Sequence, residues 1–274
     1  MLQRIFAALQ SGNQQFSCKL QTGLPTLSRI WLTFALIVSA ARGISSAAHA
    51  SSIHMFLLFG VLAVPVLALH LVLNHFRRDT LVSQPAIRLA RLGHWRELSA
   101  LDCMAFQYYG AAGLVSMLLA GLLLNIPVRV FEFLTAMPTP LLHAPAWYLP
   151  LYGLMLADLA LLSSCYAALV GLAMRRVPYF PRLLVMTWFL DVGAQLAIGG
   201  IMNIVPNVPH TVHTSLASLL GGNMQKVFIS MAIWIPYLLM SPRVNLTYRN
   251  RIAAMPAYRP SRRTPNAHGL SNQV

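Results

Sequence analysis

Apolar residues run along this chain in six blocks, and polar residues gather between them. The blocks cover about 29–47, 53–76, 110–128, 147–174, 182–205 and 225–240. A membrane-crossing helix needs roughly 20 mainly apolar residues. The pattern therefore predicts an all-α integral membrane protein with six transmembrane helices, the last four forming a four-helix membrane domain over 110–248. Residues 29–76 form a two-span N-terminal extension. Pro65 and Pro236 fall inside blocks, where each removes one backbone hydrogen bond and bends its helix.

The polar stretches are less regular. In the leader, 1–28, Leu2, Ile5, Phe6 and Leu9 recur at near-helical spacing, which fits either an interfacial helix or a polar leader. Ala48-His49-Ala50 has the small-x-small form of a cleavage site. The long leader and Arg42 within the cleavage region favour a retained span. In the basic linker, 77–109, Leu92, Trp95, Leu98 and Leu101 recur every third residue, as in a helix half-sunk in headgroups or an ordinary solvated one. Residues 206–224 read as an uncharged external loop, and the proline-dotted basic tail, 249–274, as disordered.

Composition agrees with the blocks. The chain is 57% hydrophobic and only 9% charged, against roughly 25% charged in soluble domains. In a soluble protein the net charge of +14 would suggest nucleic acid. Here the placement of the charges matters more. Segments 1–29, 77–109, 175–182 and 243–274 hold 17 of the 20 Lys and Arg, and only Arg42, Arg129 and Lys226 fall elsewhere. By the positive-inside rule both termini face the cytoplasm of a bacterial inner membrane. The expected partners are the lipid bilayer, anionic lipids at the tail and a further membrane protein, with no nucleic acid.

The C-terminal half carries a resemblance. Ile233-Trp234-Ile235-Pro236-Tyr237, then Ser241, Arg243-Val244 and Thr247-Tyr248, resembles the signature that closes a bacterial inner-membrane family, domain of unknown function 2569. Phe180-Pro181-Arg182 opening a span that carries Asp191, and Pro127-x-Arg129, are similar to further elements of that family. The match covers about 105–248. It implies a four-helix membrane domain and no established activity.

Acids inside spans are costly and mark candidate polar sites. There are two, Asp158 and Asp191. Counting ~1.5 Å per residue from the flanking arginines puts Asp191 ~14 Å above Arg182 and Asp158 ~25 Å above Arg175, so the two are expected at different levels. Tyr166 and Cys165 share the depth of Asp191. Asp191, Gln195, Gly199 and Asn203 recur every fourth residue, as a pathway or a seam between helices would. Arg129 is expected to pair with Glu132, three residues on, with Asp158 as the alternative. His210-x-x-His213 lacks a third ligand, Cys18, Cys103 and Cys165 lack metal spacing, and neither a metal nor another cofactor is expected. His54, His70 and His75 have no facing histidine to share a haem. With no catalytic constellation, the leading expectation is a non-enzymatic packing or accessory module. The alternative is a small transporter or channel subunit using Asp191.

The threading makes a direct prediction. Reporter fusions after residues 50, 140 and 215 should read external, and those after 95, 178 and 260 cytoplasmic. A cytoplasmic reading at 140 would mean that the spans upstream are miscounted.

Overall fold

The computed structural model describes residues 2–45, 52–76, 83–85, 94–104, 106, 109–111, 113–140 and 144–253. The expectations for Ala48-His49-Ala50, for most of the linker and for residues 254–274 lie outside these described residues. Eight helices dominate: α1 (Leu2–Ser45), α2 (Ser52–His75), α3 (Ala100–Met104), α4 (Leu114–Ala136), α5 (Tyr148–Met174), α6 (Phe180–Ile204), α7 (His210–Met240) and α8 (Pro242–Arg249). One short antiparallel ribbon pairs β1 (Trp95–Glu97) with β2 (Arg251–Ala253). Among the described residues, five helices are long and apolar enough to cross a membrane, or six if α7 and α8, bent by 72°, count as one span.

Several boundaries differ from those expected, for identifiable reasons. The leader is no separate element, because α1 runs unbroken through Pro25. Its apolar stretch is Thr22–Ile44. The expected loop at 206–224 largely belongs to α7, whose Leu216 and Leu220 are buried one turn apart. His210 and His213 therefore sit in its first turn, and no metal-binding group occurs among the described residues. Helix α4 does not stop at Val128. It continues through Pro127, keeping Val130 and Phe133 buried, because an interior proline removes one backbone hydrogen bond and packed surroundings can absorb that loss.

Helix α2 lies along α5. The approach is tight at Gly171, where a Cβ would come within 2.9 Å of Val72 Cγ1. Pro65, inside α2, loosens backbone carbonyls in the preceding turn. Trp31 Nε1 on α1 donates to one of them, Leu62 O, at 2.8 Å. Pro65 and Pro127 both line an apolar recess of about 360 Å³ that Trp31 and Ala167 also border.

Three arginines close the C-terminal ends of other helices. Arg175 donates to Leu73 O at 2.7 Å in the last turn of α2. Arg249 donates to Leu238 O at 2.9 Å in that of α7. Arg42 donates to Met137 O at 2.9 Å and also to Leu134 O, at the end of α4. Terminal carbonyls lack intrahelical donors and carry the negative end of the helix dipole, which a guanidinium satisfies on both counts.

Residues 242–253 are ordered, against the expectation that 249 onward starts a structureless tail. Ser241 caps α8, Pro242 opens it and Asn250 leaves it with φ 49°. Tyr248 is fully buried, stacks on Phe180 with ring centroids 5.0 Å apart, and donates to Ala173 O at 3.1 Å. Thr247 Oγ1 accepts from Gly110 N at 3.0 Å. The Trp95 ring lies 5.2 Å from the Arg251 guanidinium, so the spacing of Leu92, Trp95, Leu98 and Leu101 does not mark one amphipathic helix. β-pairing holds Trp95, and Leu98 N donates to Asn250 O.

Asn245 organises this cap. It is fully buried. Its Oδ1 accepts from Arg249 Nη1 and Arg251 Nε, each at 2.9 Å, and its Nδ2 donates to Ser241 O at 3.0 Å. Asn245→Ala leaves two buried guanidinium groups short of an acceptor and should cost about 2 kcal/mol or more. Melting in mild detergent reads it, and Asn245→Asp should retain most of the stability. An unchanged melting temperature for the alanine variant would show that the cap contributes nothing.

Candidate functional site

Two apolar clusters fill the bundle. One gathers Leu119, Leu162, Leu184 and Trp188 towards α8, and the other Phe133, Met155, Ile198 and Met202 towards the start of α7. Between them, on three helices at once, lies a polar layer. Arg129 separates Ile126 from Val130 on α4, Asp158 separates Met155 from Leu162 on α5, and Asp191 and Gln195 separate Trp188 from Ile198 on α6.

The guanidinium of Arg129 is shared between the two acids. Its Nη1 donates to Asp158 Oδ2 at 3.0 Å and its Nη2 donates to Asp191 Oδ2. Tyr166 OH donates to the same Asp191 oxygen at 2.7 Å. Gln195 Nε2 reaches Asp158 Oδ1 at 3.3 Å and Asp191 Oδ1 at 3.4 Å. The Arg129 guanidinium carbon lies 5.7 Å from the Tyr166 ring centroid. Asp191 is fully buried and Gln195 nearly so, while Arg129 keeps 8% exposure. Asp158 and Tyr166, eight residues apart, fall on one face of α5, as do Asp191 and Gln195 on α6.

Four expectations are corrected here. Arg129 does not pair with Glu132. It turns inward to the alternative partner, Asp158, and to Asp191, because a buried cation gains most where two carboxylates are already out of water. Glu132 is bound instead by Lys226 Nζ of α7, which also reaches Asn223 Oδ1 at 3.3 Å.

The two acids are not held apart by depth either. A straight-helix ruler ignores helix crossing and the reach of a long guanidinium stem. Arg129, read as a boundary residue, lies inside α4 between them. Asn203 is exposed and outside the layer. Four-residue steps advance about 40° beyond a full turn, so three steps from Asp191 carry Asn203 roughly 120° round the helix.

A cavity of about 260 Å³ opens beside this layer between α4 and α7. Arg129, Asp191 and Tyr166 form its polar wall, Glu132, Asn223 and Lys226 stand towards one end, and Leu118, Trp188 and Trp234 supply apolar surface. Lys226 and Asn223 had no place in the sequence-derived site. The available signal was a lone lysine in an apolar block with an acid, Glu132, on a neighbouring span.

No family model matches the chain, and no curated protein or solved structure shows significant similarity to it. The resemblance to domain of unknown function 2569 therefore rests on the residues quoted for it.

Removing Arg129 leaves two buried carboxylates without a counter-charge, a loss of about 3–5 kcal/mol. Arg129→Met should accordingly melt far below the parent protein in detergent. Arg129→Met combined with Asp158→Asn and Asp191→Asn should recover much of the difference, since no net charge then stays buried. Equal destabilisation with and without the asparagines would show that packing, and not charge, makes Arg129 important.

Proposed function

We propose that this chain is a multi-pass protein of the bacterial inner membrane, with both termini cytoplasmic, that binds and exchanges a proton or small cation as a small transporter or channel subunit. One observation carries the reading: two carboxylates share a single guanidinium, and that guanidinium and one of the two acids, Asp191, line a mid-bundle cavity. With both acids ionised the layer holds one negative charge in excess. An unbalanced charge in a low-dielectric interior is costly, and a proton or cation on the acids removes that cost. Arg129 and Gln195 hold the two carboxylates together, and Tyr166 presents a hydroxyl to Asp191 where it borders the cavity. Reversible occupation of such a site is what a coupled carrier requires.

The membrane placement has its own support. Large apolar residues such as Phe56, Met186, Phe189, Ile204 and Ile233 are more than half exposed on the long helices, an outer surface that suits acyl chains and not water. The arginines 175, 176, 182, 243, 249 and 251 gather at the end of the bundle where α5 closes and α6 opens, which the positive-inside rule places in the cytoplasm.

A packing or accessory module is the second reading, favoured by the way the same layer ties α4, α5 and α6 together. The two readings part at Asp191. In proteoliposomes, Asp191→Asn should abolish pH-dependent cation or proton flux, because the amide keeps the shape and loses the titratable charge. The variant should stay folded by detergent melting. Full flux in a folded Asp191→Asn protein would overturn the transport reading, and a protein pair that co-purifies regardless of that residue would favour the module.

A further inference from the structure

The polar layer is reached from one side of the bundle. An open groove of about 610 Å³ runs along the first half of α7, lined by Thr214, Ser218, Gly222, Asn223, Lys226 and by Glu132 of α4. The cavity beside Arg129 and Asp191 shares Glu132, Asn223 and Lys226 with that groove. A third, small space of about 20 Å³ touches Asp158 and again has Glu132 and Asn223 in its wall. All three spaces therefore meet at Glu132 and Asn223.

The row Thr214, Ser218, Gly222, Lys226 and Ser230 explains how one helix serves both larger spaces. Its four-residue spacing drifts about 40° per step, so the polar row winds from the groove into the cavity, where Ser230 is a lining residue. Among the described residues, the other side of the layer offers no such row. There the buried cluster of Leu119, Leu162, Leu184 and Trp188 packs against the Tyr248 cap. A further observation points to solvent. Arg129 is nine-tenths buried, its Nε–H has no acceptor among the described residues, and it borders the cavity. Buried donors of this kind are normally satisfied by water.

We propose that this groove and cavity form a one-sided, water-filled half-pathway from the external face to Asp158 and Asp191, with the Glu132–Lys226 ion pair as its gate. The inference rests on the reading of the polar layer as a cation or proton site and names its route of access. The ion pair joins α4 to α7 at the place where the three spaces meet, so its opening widens the passage. The half-pathway ends on the excess negative charge of the layer, so it favours small cations over anions. Closure at the opposite end, by the apolar cluster and α8, keeps the acids from facing both sides at once.

Cysteine labelling tests this without any flux measurement. Cys18, Cys103 and Cys165 are replaced by serine, and single cysteines are placed at Ser218, Asn223, Ser230 and, as lipid-facing controls, Ile229 and Ile233. Thiols react as thiolates, which need water. A membrane-impermeant cationic methanethiosulfonate added outside intact cells should label Ser218→Cys and Asn223→Cys readily and Ser230→Cys more slowly, leaving both controls unlabelled. At Ser230→Cys the cationic reagent should outpace the anionic sulfonate form by about tenfold or more. The paired change Glu132→Gln with Lys226→Gln, which removes the bridge without stranding a charge, should speed labelling at Ser230→Cys about tenfold.

Labelling at Ser218→Cys alone would show a dry cleft and overturn the half-pathway, as would labelling of Ser230→Cys only from the cytoplasmic side in inverted vesicles. Unchanged labelling in the double glutamine variant would overturn the gate. Loss of flux in Asp191→Asn with no labelling of Asn223→Cys or Ser230→Cys sinks only this route. Normal labelling with full flux in Asp191→Asn sinks the cation-site reading and leaves the water-filled cleft standing.

Discussion

A guanidinium held between two carboxylates in an apolar bundle constrains everything around it. Each of the three charged groups would cost several kcal/mol to bury alone, and leaving one unpaired is worse than having none. Arg129, Asp158 and Asp191 come from α4, α5 and α6. Sliding any of these helices by one turn, about 5.4 Å, would separate the charges and strand at least one. The layer thus sets the register of three helices, which the apolar clusters on either side would tolerate over a wider range. Leu, Met and Val side chains pack in many arrangements, whereas a shared guanidinium accepts only a few. Gln195 completes the layer by donating to the two carboxylate oxygens that Arg129 does not reach, and Tyr166 adds a second donor to the Asp191 oxygen that Arg129 holds.

The arginines towards the ends of the bundle obey a different rule. Arg175, Arg249 and Arg42 each donate to carbonyls at the C-terminal end of a neighbouring helix. Counting charge along the chain treats all three alike as topological signals. In the folded chain they also close helix ends, at which backbone carbonyls would otherwise lie unpaired. Arg42 is instructive because it breaks the charge bias: its position fits its role at the end of α4, which needs a donor near Met137 whatever side of a membrane it faces.

How much of this could be read from the order of residues depends on the range of the interaction. The apolar blocks needed only local counting, and each corresponds to a helix. Asp158, Asp191, Gln195 and Tyr166 were visible as polar groups in apolar surroundings, and the structure brings those four together. Arg129 was visible too but was assigned to a boundary, because Asn125-Ile126-Pro127 looks like the end of a span. Proline stops a helix in water more readily than in a packed membrane bundle, and that difference moved the residue from the rim to the centre. Asn203 failed for a geometric reason, since four-residue spacing keeps one face only over short distances. The cap formed by α8 and β2 was hidden because its order comes from Asn245 and Tyr248 contacting segments far away in the chain, which no local pattern encodes.

The cap and the charged layer together give the bundle a direction. On the α8 side, the chain bends by 72° after Met240 and lays Tyr248 against Phe180 and Ala173, closing the space under the apolar cluster. On the other side, α7 extends beyond the layer with serine, threonine and glycine. Small polar side chains there cost little packing and leave room between α4 and α7, and Lys226 bridges that room to Glu132. A lipid-filled cleft would gain nothing from Asn223, Ser230 and an orphan guanidinium N–H, because each of these groups is penalised in hydrocarbon. The same groups are satisfied by water. The asymmetry of packing is thereby also an asymmetry of hydration, and the excess charge of the polar layer lies at its inner limit.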